Sequence, residues 1–419
     1  MRGWVAGTVV FLLALGGCAG DGASKVRFRI ATPTVLFDAP LGVTITGVPS
    51  GERVTISASA TDTAGHTWKS SATFEPDAAG EVDLARQGPV AGDYTGVHDT
   101  GLLWSMTGPD VSYARPSSNQ MAVDLAASVG GRRVATGAVV RQLRAPGVSE
   151  RATSVAQEGF DGALFLPADA TATTPRPAVL AFGGSEGGTD SGIRTAEALA
   201  SKGFPALGIG YFDGPGLPDH LTSIPLEYFA TALRWLARQP GVDPHHVTVY
   251  GVSRGSEAAL LLAVNFPELV SGVFAGSPSS VVNPGLPGAT EPGHPPAWTL
   301  HGRPIPGVGD AELGDPQPAG NPAAIIPVER IRGSVFLLCG GNDGLWPSCR
   351  YTDAIAARLG AHPHAVLHEP DAGHLVGSPI ANRIVSPDGR DGGTQQADAL
   401  GRLDAWPKLL AFLAAQPKP

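Results

Sequence analysis

The sequence predicts a two-part chain, an all-β sandwich followed by an α/β domain with a mostly parallel sheet covered by helices. Three observations predict it. Before residue 145 short β-branched segments alternate with turn residues. Beyond it the pattern changes to strand, loop and helix, repeated. The length, 419 residues, exceeds that of one ordinary domain.

In the first part, residues 26–37, 42–48, 53–60 and 68–74 carry β-branched or aromatic residues in partial alternation, separated by turns such as Pro49-Ser-Gly51 and Asp77-Ala-Ala-Gly80. Further strands over 121–125 and 133–143 complete an immunoglobulin-like sandwich, and no segment of helical period precedes about residue 145. In the second part, 178–182, 205–210, 247–250, 335–338 and 365–367 read as strands. Helices are expected over 193–201, 226–238 and 257–266, with another ending at Leu359-Gly360, where glycine supplies the stop. Such alternation implies a parallel sheet buried on both faces. Residues 279–321, rich in Pro and Gly with little periodicity, are expected to form a lid or a mobile insertion.

Composition narrows the function. Hydrophobic residues make up 42% of the chain, enough for real cores, and the formal charge of −9 argues against nucleic acid as a partner. At the N-terminus, Arg2 precedes an apolar run from Trp4 to Leu15, shorter than the ~20 residues that cross a bilayer. It reads as a signal-peptide core. The ending Leu15-Gly-Gly-Cys18 resembles a bacterial lipobox, in which the cysteine receives lipid; the alternative is a plain secretory signal with a chance cysteine. The expected division is therefore 1–17 signal peptide, 18–25 lipidation site and tether, 26–145 sandwich and 146–419 catalytic domain, with the mature chain extracytoplasmic and lipid-anchored to the membrane. In that oxidising compartment Cys339 and Cys349 are free to pair, and a bridge would pin the loop between them; two independent thiols are the alternative.

Two segments match Gly-x-Ser-x-Gly, a turn that lifts a serine above a sheet and aims the next N–H at an oxyanion. Gly251-Val-Ser-Arg-Gly255 leaves no slack between the strand ending at Tyr250 and the following helix. Gly183-Gly-Ser-Glu-Gly187 runs on through Gly188, Asp190 and Gly192 before a helix can start. Ser253 is therefore the expected nucleophile and Ser185 a decoy, whose Gly-rich loop (backbone 184–186) supplies an oxyanion amide or is a simple turn. With Ser253 on such an elbow the second part is an α/β hydrolase, where the order is serine, acid, histidine, each past a strand. Asp343 and His374 suit that order as acid and base. Asp371 is the runner-up acid, too near His374 to approach from a separate strand. His294 and His301 lie in the irregular stretch, and His245-His246 open the nucleophile strand at its wrong end. His362, His364 and His368 lack any companion metal motif and read as polar positions along a strand. No cofactor or metal is implied.

These residues resemble the acyl-CoA thioesterases and bile-acid-CoA:amino-acid N-acyltransferases over nearly all of the mature chain. Residues 36–62, Gly80-Glu-Val-Asp-Leu84 and Gly101-Leu-Leu-Trp104 match in the first part. Residues 223–229, Ile326-Pro-Val-Glu329, Gly341-Asn-Asp343, Ala372-Gly-His374 and Asp404-Ala-Trp406 match in the second. The resemblance implies a triad of Ser253, Asp343 and His374. It also sides with the thioesterase branch, because acyltransferase members carry cysteine at the nucleophile. An export signal and a different Gly-rich loop depart from the family pattern. The expected activity is hydrolysis of an acyl ester or thioester, the Arg254 amide and one near Ser185 holding the oxyanion. A peptidase acting on aminoacyl amides, acyl transfer to an amine, and a non-enzymatic tethered binding protein are the alternatives.

Overall fold

A computed structural model describes residues 26–109, 113–114, 119–288, 293–385 and 388–415. The expected signal peptide and lipid site, residues 1–25, lie outside the described residues.

The N-terminal part folds as two sheets on one apolar core. Arg27–Ile30, Val43–Thr46 and Val82–Asp83 form a three-stranded antiparallel sheet. The second sheet runs in the order Thr34–Leu36, Arg132–Gln142, Gln120–Val129, Val54–Thr61, Thr67–Phe74, Ala91–Gly92, antiparallel except for its first pair. Side chains alternate between core and surface along Val54–Thr61 and Gln120–Val129, as a sheet with one buried face requires. Val43, Ile45 and Val82 of one sheet join Ile56, Trp68, Phe74 and Val123 of the other in a single buried cluster. The strand expected over 26–37 is two strands, one in each sheet. The break at Pro33 follows from a residue that has no N–H to give a ladder. No segment of helical period is expected in this part, and the one helical turn among its described residues, Gly101–Trp104, is wholly buried and too short to show a period.

The C-terminal part is built on eight strands: β1 (Ser149–Thr153), β2 (Asp161–Leu166), β3 (Arg176–Phe182), β4 (Ala206–Gly210), β5 (Val242–Val252), β6 (Gly272–Gly276), β7 (Ser334–Gly340) and β8 (His364–Glu369). Their spatial order is β1-β2-β4-β3-β5-β6-β7-β8. Neighbours from β4 through β8 are parallel, whereas β2 is antiparallel to β4 and β1 to β2, so the sheet is mixed. Among the described residues five helices of eleven residues or more cover it: α1 (Asp190–Ala200), α2 (Leu226–Leu236), α3 (Arg254–Asn265), α4 (Ser348–Leu359) and α5 (Gln395–Ala414). Alternate residues of β3 serve opposite faces. Leu180 and Phe182 pack with Phe229 and Leu233 of α2 and Leu260 of α3, while Val179 and Ala181 pack with Leu199 of α1 and Leu409 of α5. Both faces of the central strands are dry, which is why they read as unbroken apolar runs.

Sequence patterning does not disclose β1, β2, β6 and α5. β1 is a polar edge strand, exposed except at Thr153, and β6 is Gly-Val-Phe-Ala-Gly, fully buried yet poor in strand formers. In α5 Pro407 interrupts the helical pattern, although Thr394 caps the start by accepting the Ala397 N–H at 3.1 Å. The stretch 279–321 is neither lid nor loose insertion in its described residues. Trp298–Leu300 lies between Ile224–Pro225 and Arg303–Pro304 in a small sheet, and Val281, Val282, Ala297, Trp298 and Val308 are buried. Burial of these side chains overrides the weak local pattern.

α5 also joins the two parts. Phe37 meets Trp406 edge to face at 5.8 Å, the Trp406 Nε1–H donates to Asp38 at 3.0 Å, and Lys202 pairs with Asp38 at 2.8 Å. No helix among the described residues is long and apolar enough to cross a membrane.

Candidate functional site

Ser253 sits between β5 and α3 with no intervening residue, at φ 55° and ψ −124°. A non-glycine residue there costs roughly 1–3 kcal/mol and persists only if its surroundings enforce it. They do. A Cβ on Gly251 would lie 2.2 Å from the Gly255 carbonyl oxygen, and one on Gly255 would lie 2.1 Å from that of Gly183. The Ser253 N–H is fixed to the Gly276 carbonyl at 2.9 Å, at the end of β6. Both glycines of the motif are thus demanded by crowding.

His374 follows β8 and opens a short 3-10 turn, buried. Its Nδ1 is 2.8 Å from Asp343 Oδ2 and 3.0 Å from Oδ1. A carboxylate only accepts, so Nδ1 carries the proton and Nε2 is left as the base nitrogen. Nε2 is shielded from solvent and has no hydrogen-bond partner among the described residues. Asp343 is itself oriented: its Oδ1 accepts the N–H groups of Leu345 at 3.0 Å and Trp346 at 3.2 Å. The Trp346 ring stands 5.5 Å from the His374 ring, and its Nε1–H donates to the Ser277 carbonyl at 3.2 Å. The Ser277 hydroxyl in turn donates to the His374 carbonyl at 2.7 Å. Cys339 at the end of β7 and Cys349 in α4 are disulfide-bonded with Cα atoms 5.1 Å apart, closing the loop that carries Asp343.

Ser253 and His374 line one cavity of about 370 Å³, together with Ser185 and Glu186 from the Gly-rich loop. Gly184 lies against the nucleophile elbow, a Cβ there falling 2.8 Å from Ser253 Cβ. Within the loop the Gly184 N–H is taken by the Glu186 carboxylate at 2.9 Å, and the Gly184 carbonyl accepts from the buried Tyr211 hydroxyl at 2.5 Å. In a trans peptide the C=O and the following N–H point opposite ways, so the Ser185 N–H is directed away from Tyr211. Of the three loop amides expected for an oxyanion, Gly184 is therefore excluded. Arg254 opens α3, where the first amides lack helical partners.

The other expected residues fall elsewhere. Asp371 is exposed, while His246 pairs with Asp243 at 2.6 Å and His301 with Glu227 at 3.2 Å. His294 meets Asp310 at 3.0 Å. His362 bonds the Gly333 carbonyl at 2.7 Å, His364 bonds that of His362 at 2.8 Å, and His368 pairs with Asp353 at 3.0 Å, so the three do not converge. His368 lies near Cys339 and Cys349, but those sulfurs are spent on each other. Sequence reasoning weighed Glu186 only for its backbone amide and missed Arg194, Ser378, Arg383 and Asp391, which also line the cavity and stand in no motif.

Comparison with known proteins adds a second line of evidence. Residues 38–154 match the family model described as the acyl-CoA thioester hydrolase/BAAT N-terminal region. Residues 224–298 and 307–418 match that described as the BAAT/acyl-CoA thioester hydrolase C terminal. The chain is 28% identical to acyl-coenzyme A thioesterase 1 of Mus musculus, over 91% of its own length and 94% of the relative's. It is 29% identical to acyl-coenzyme A amino acid N-acyltransferase 2 of Rattus norvegicus, over 91% and 96%. Among solved structures it is similar to MGS-M1, an alpha/beta hydrolase enzyme from a deep-sea metagenome library, at a TM-score of 0.43 and 18% identity, over 64% of this chain and 98% of that one.

Beneath the elbow, the Arg254 side chain turns into the core rather than the cavity. Its guanidinium donates to the carbonyls of Pro284 at 2.8 Å and Asn283 at 2.9 Å, and its Nε lies 3.0 Å from Glu257 Oε1. Glu257, fully buried, also accepts from Asn283 Nδ2 at 2.7 Å and Trp298 Nε1 at 3.0 Å. Removing one partner of such a pair strands the other charge, at a cost of about 3–5 kcal/mol. Glu257→Ala is therefore expected to lower unfolding stability by about that amount in urea titrations, and Glu257→Gln by less, since it keeps the shape and an acceptor. A loss below about 1 kcal/mol in the alanine variant contradicts a structural role for this network.

Proposed function

Because the chain belongs to the acyl-CoA thioester hydrolase/BAAT family, we propose that it hydrolyses acyl thioesters or esters through Ser253, His374 and Asp343. The observation that carries the reading is the unpartnered Nε2 of His374, in the same cavity as a strained Ser253, with Nδ1 held by Asp343. His374 takes the Ser253 proton as the hydroxyl attacks the acyl carbonyl, and Asp343 stabilises the imidazolium without accepting the proton. The Ser185 and Arg254 amides receive the oxyanion, whose collapse expels the thiol or alcohol with a proton from His374. Water, activated by the same imidazole, then releases the acid from Ser253. The scaffold is an α/β hydrolase, and the two N-terminal sheets are read as an immunoglobulin-like sandwich on the strength of their shared core.

We further propose that residues 1–17 are a signal peptide, that Cys18 carries lipid and that the enzyme works at the membrane outside the cytoplasm. The Leu15-Gly-Gly-Cys18 sequence supports this, and so does a Cys339–Cys349 disulfide, which an oxidising compartment permits.

Two tests follow. Ser253→Ala is expected to abolish covalent labelling by a fluorophosphonate and to lower kcat on a p-nitrophenyl ester and an acyl-CoA by about 10³-fold or more, while Ser185→Ala keeps labelling. Labelling that survives in Ser253→Ala refutes the assignment, and accumulation of amide instead of free acid when glycine is added refutes hydrolysis. For the anchor, Cys18→Ser is expected to move the protein from the membrane fraction into the soluble extracytoplasmic fraction. Retention in the membrane contradicts lipidation at Cys18.

A further inference from the structure

The turn that carries His374 is gripped from behind by α5. Asp398 and Arg402 stand one helical turn apart on that helix, hence on one face, and both are buried. Neither lines the cavity that holds Ser253. Asp398 Oδ1 accepts the N–H of Gly373, the residue before the histidine, at 2.6 Å. Arg402 Nη1 donates to the carbonyl of Leu375, the residue after it, at 3.4 Å. Gly401, on the same helix, presses on this turn, and a Cβ there would fall 2.7 Å from Val376 Cγ2. The backbone of His374 itself is held from other sides, its N–H by the Asp391 carbonyl at 2.8 Å and its carbonyl by the Ser277 hydroxyl at 2.7 Å.

Stability does not account for the two charges. A carboxylate and a guanidinium taken out of water lose hydration that their attraction offsets only in part, and apolar residues of similar volume often do as well. Here the offset is incomplete, because Asp398 Oδ2 is shielded from water with no hydrogen-bond partner among the described residues. Burial pushes the Asp398 carboxyl up, against the Arg402 charge and the Gly373 N–H, and Asp391 and Asp343 add to the push. What an apolar pair cannot do is hold the two ends of the His374 turn. Asp343 fixes Nδ1, but Nε2 reaches Ser253 only if the histidine backbone is placed as well. A misplacement of about 1 Å can cost roughly a hundredfold in rate.

We infer that Asp398, assisted by Arg402, is a positioning residue that clamps the Gly373–Leu375 turn to α5 and so sets where His374 Nε2 stands relative to Ser253. The inference rests on His374 being the base.

Two double variants remove both charges together, so that neither is stranded in the core. Asp398→Leu with Arg402→Met also removes the acceptor for Gly373, whereas Asp398→Asn with Arg402→Met keeps one. Thermal unfolding, kcat and KM on a p-nitrophenyl ester, and the rate of fluorophosphonate labelling are measured on each. Both are expected to unfold within about 5 °C of the wild-type protein. The leucine double is expected to lose kcat and labelling rate by about ten- to a hundredfold with KM within about twofold, and the asparagine double to recover most of that loss. A leucine double with wild-type kcat and labelling rate overturns the clamp, and so does an asparagine double as slow as the leucine one. If the leucine double does not fold, Asp398→Glu decides, since it keeps the charge but moves the carboxylate by one methylene. A fall in its kcat at unchanged KM supports the clamp, and a wild-type kcat overturns it. Wild-type labelling of His374→Ala protein, in which Asp398 and Arg402 are intact, would instead remove the hydrolytic reading and the clamp with it, and is distinct from each of these outcomes.

Discussion

The approach of the Gly183 carbonyl to Gly255 is the constraint on which the site depends. A side chain at Gly255 would have to occupy a point 2.1 Å from that oxygen, and one at Gly251 a point 2.2 Å from the Gly255 oxygen. Without those two Cβ atoms, β5 can turn into α3 in a single residue and press the turn against the Gly-rich loop after β3. The single residue is Ser253, held at φ 55°. The same contact sets the loop beside the serine, where Tyr211 fixes the Gly184 carbonyl and so the direction of the Ser185 amide. Strain at the serine, proximity of the loop and orientation of an amide are one packing event rather than three.

The histidine side is held by different means. Asp343 is oriented by two backbone N–H groups, its loop is closed by the Cys339–Cys349 bridge, and Trp346 links it to Ser277 at the end of β6. Ser277 returns to the His374 carbonyl. Asp343, His374 and the elbow are therefore tied to the C-terminal ends of β5, β6 and β7. The buried Arg254–Glu257–Trp298 network extends this from beneath, tying α3 to the segment after β6. α5 connects the whole to the N-terminal sheets through Phe37, Asp38 and Trp406.

Much of this was legible from local pattern. β3, β4, β7 and α2 announce themselves by apolar runs or helical period, and Ser253, Asp343 and His374 by strand-end position and order. The family was legible too, through phrases such as Ala372-Gly-His374 and Asp404-Ala-Trp406. What was not legible shares a physical cause. β6 is buried by its neighbours rather than by its own propensity, and residues 279–321 are ordered by Trp298 reaching Glu257 from far along the chain. The Gly184 amide was lost as an oxyanion donor to a carboxylate two residues away, a local contact that composition does not reveal.

The central claim is that Ser253 carries the acyl group between the two half-reactions. Rapid quenching of the wild-type protein with an acyl-CoA during its first turnover, followed by proteolysis and mass measurement, tests it most directly. The account predicts an acyl mass increment on the peptide containing Ser253, appearing with the burst of thiol and decaying as free acid is released. Thiol release with no acylated peptide, or an acyl group on Ser185, would contradict it.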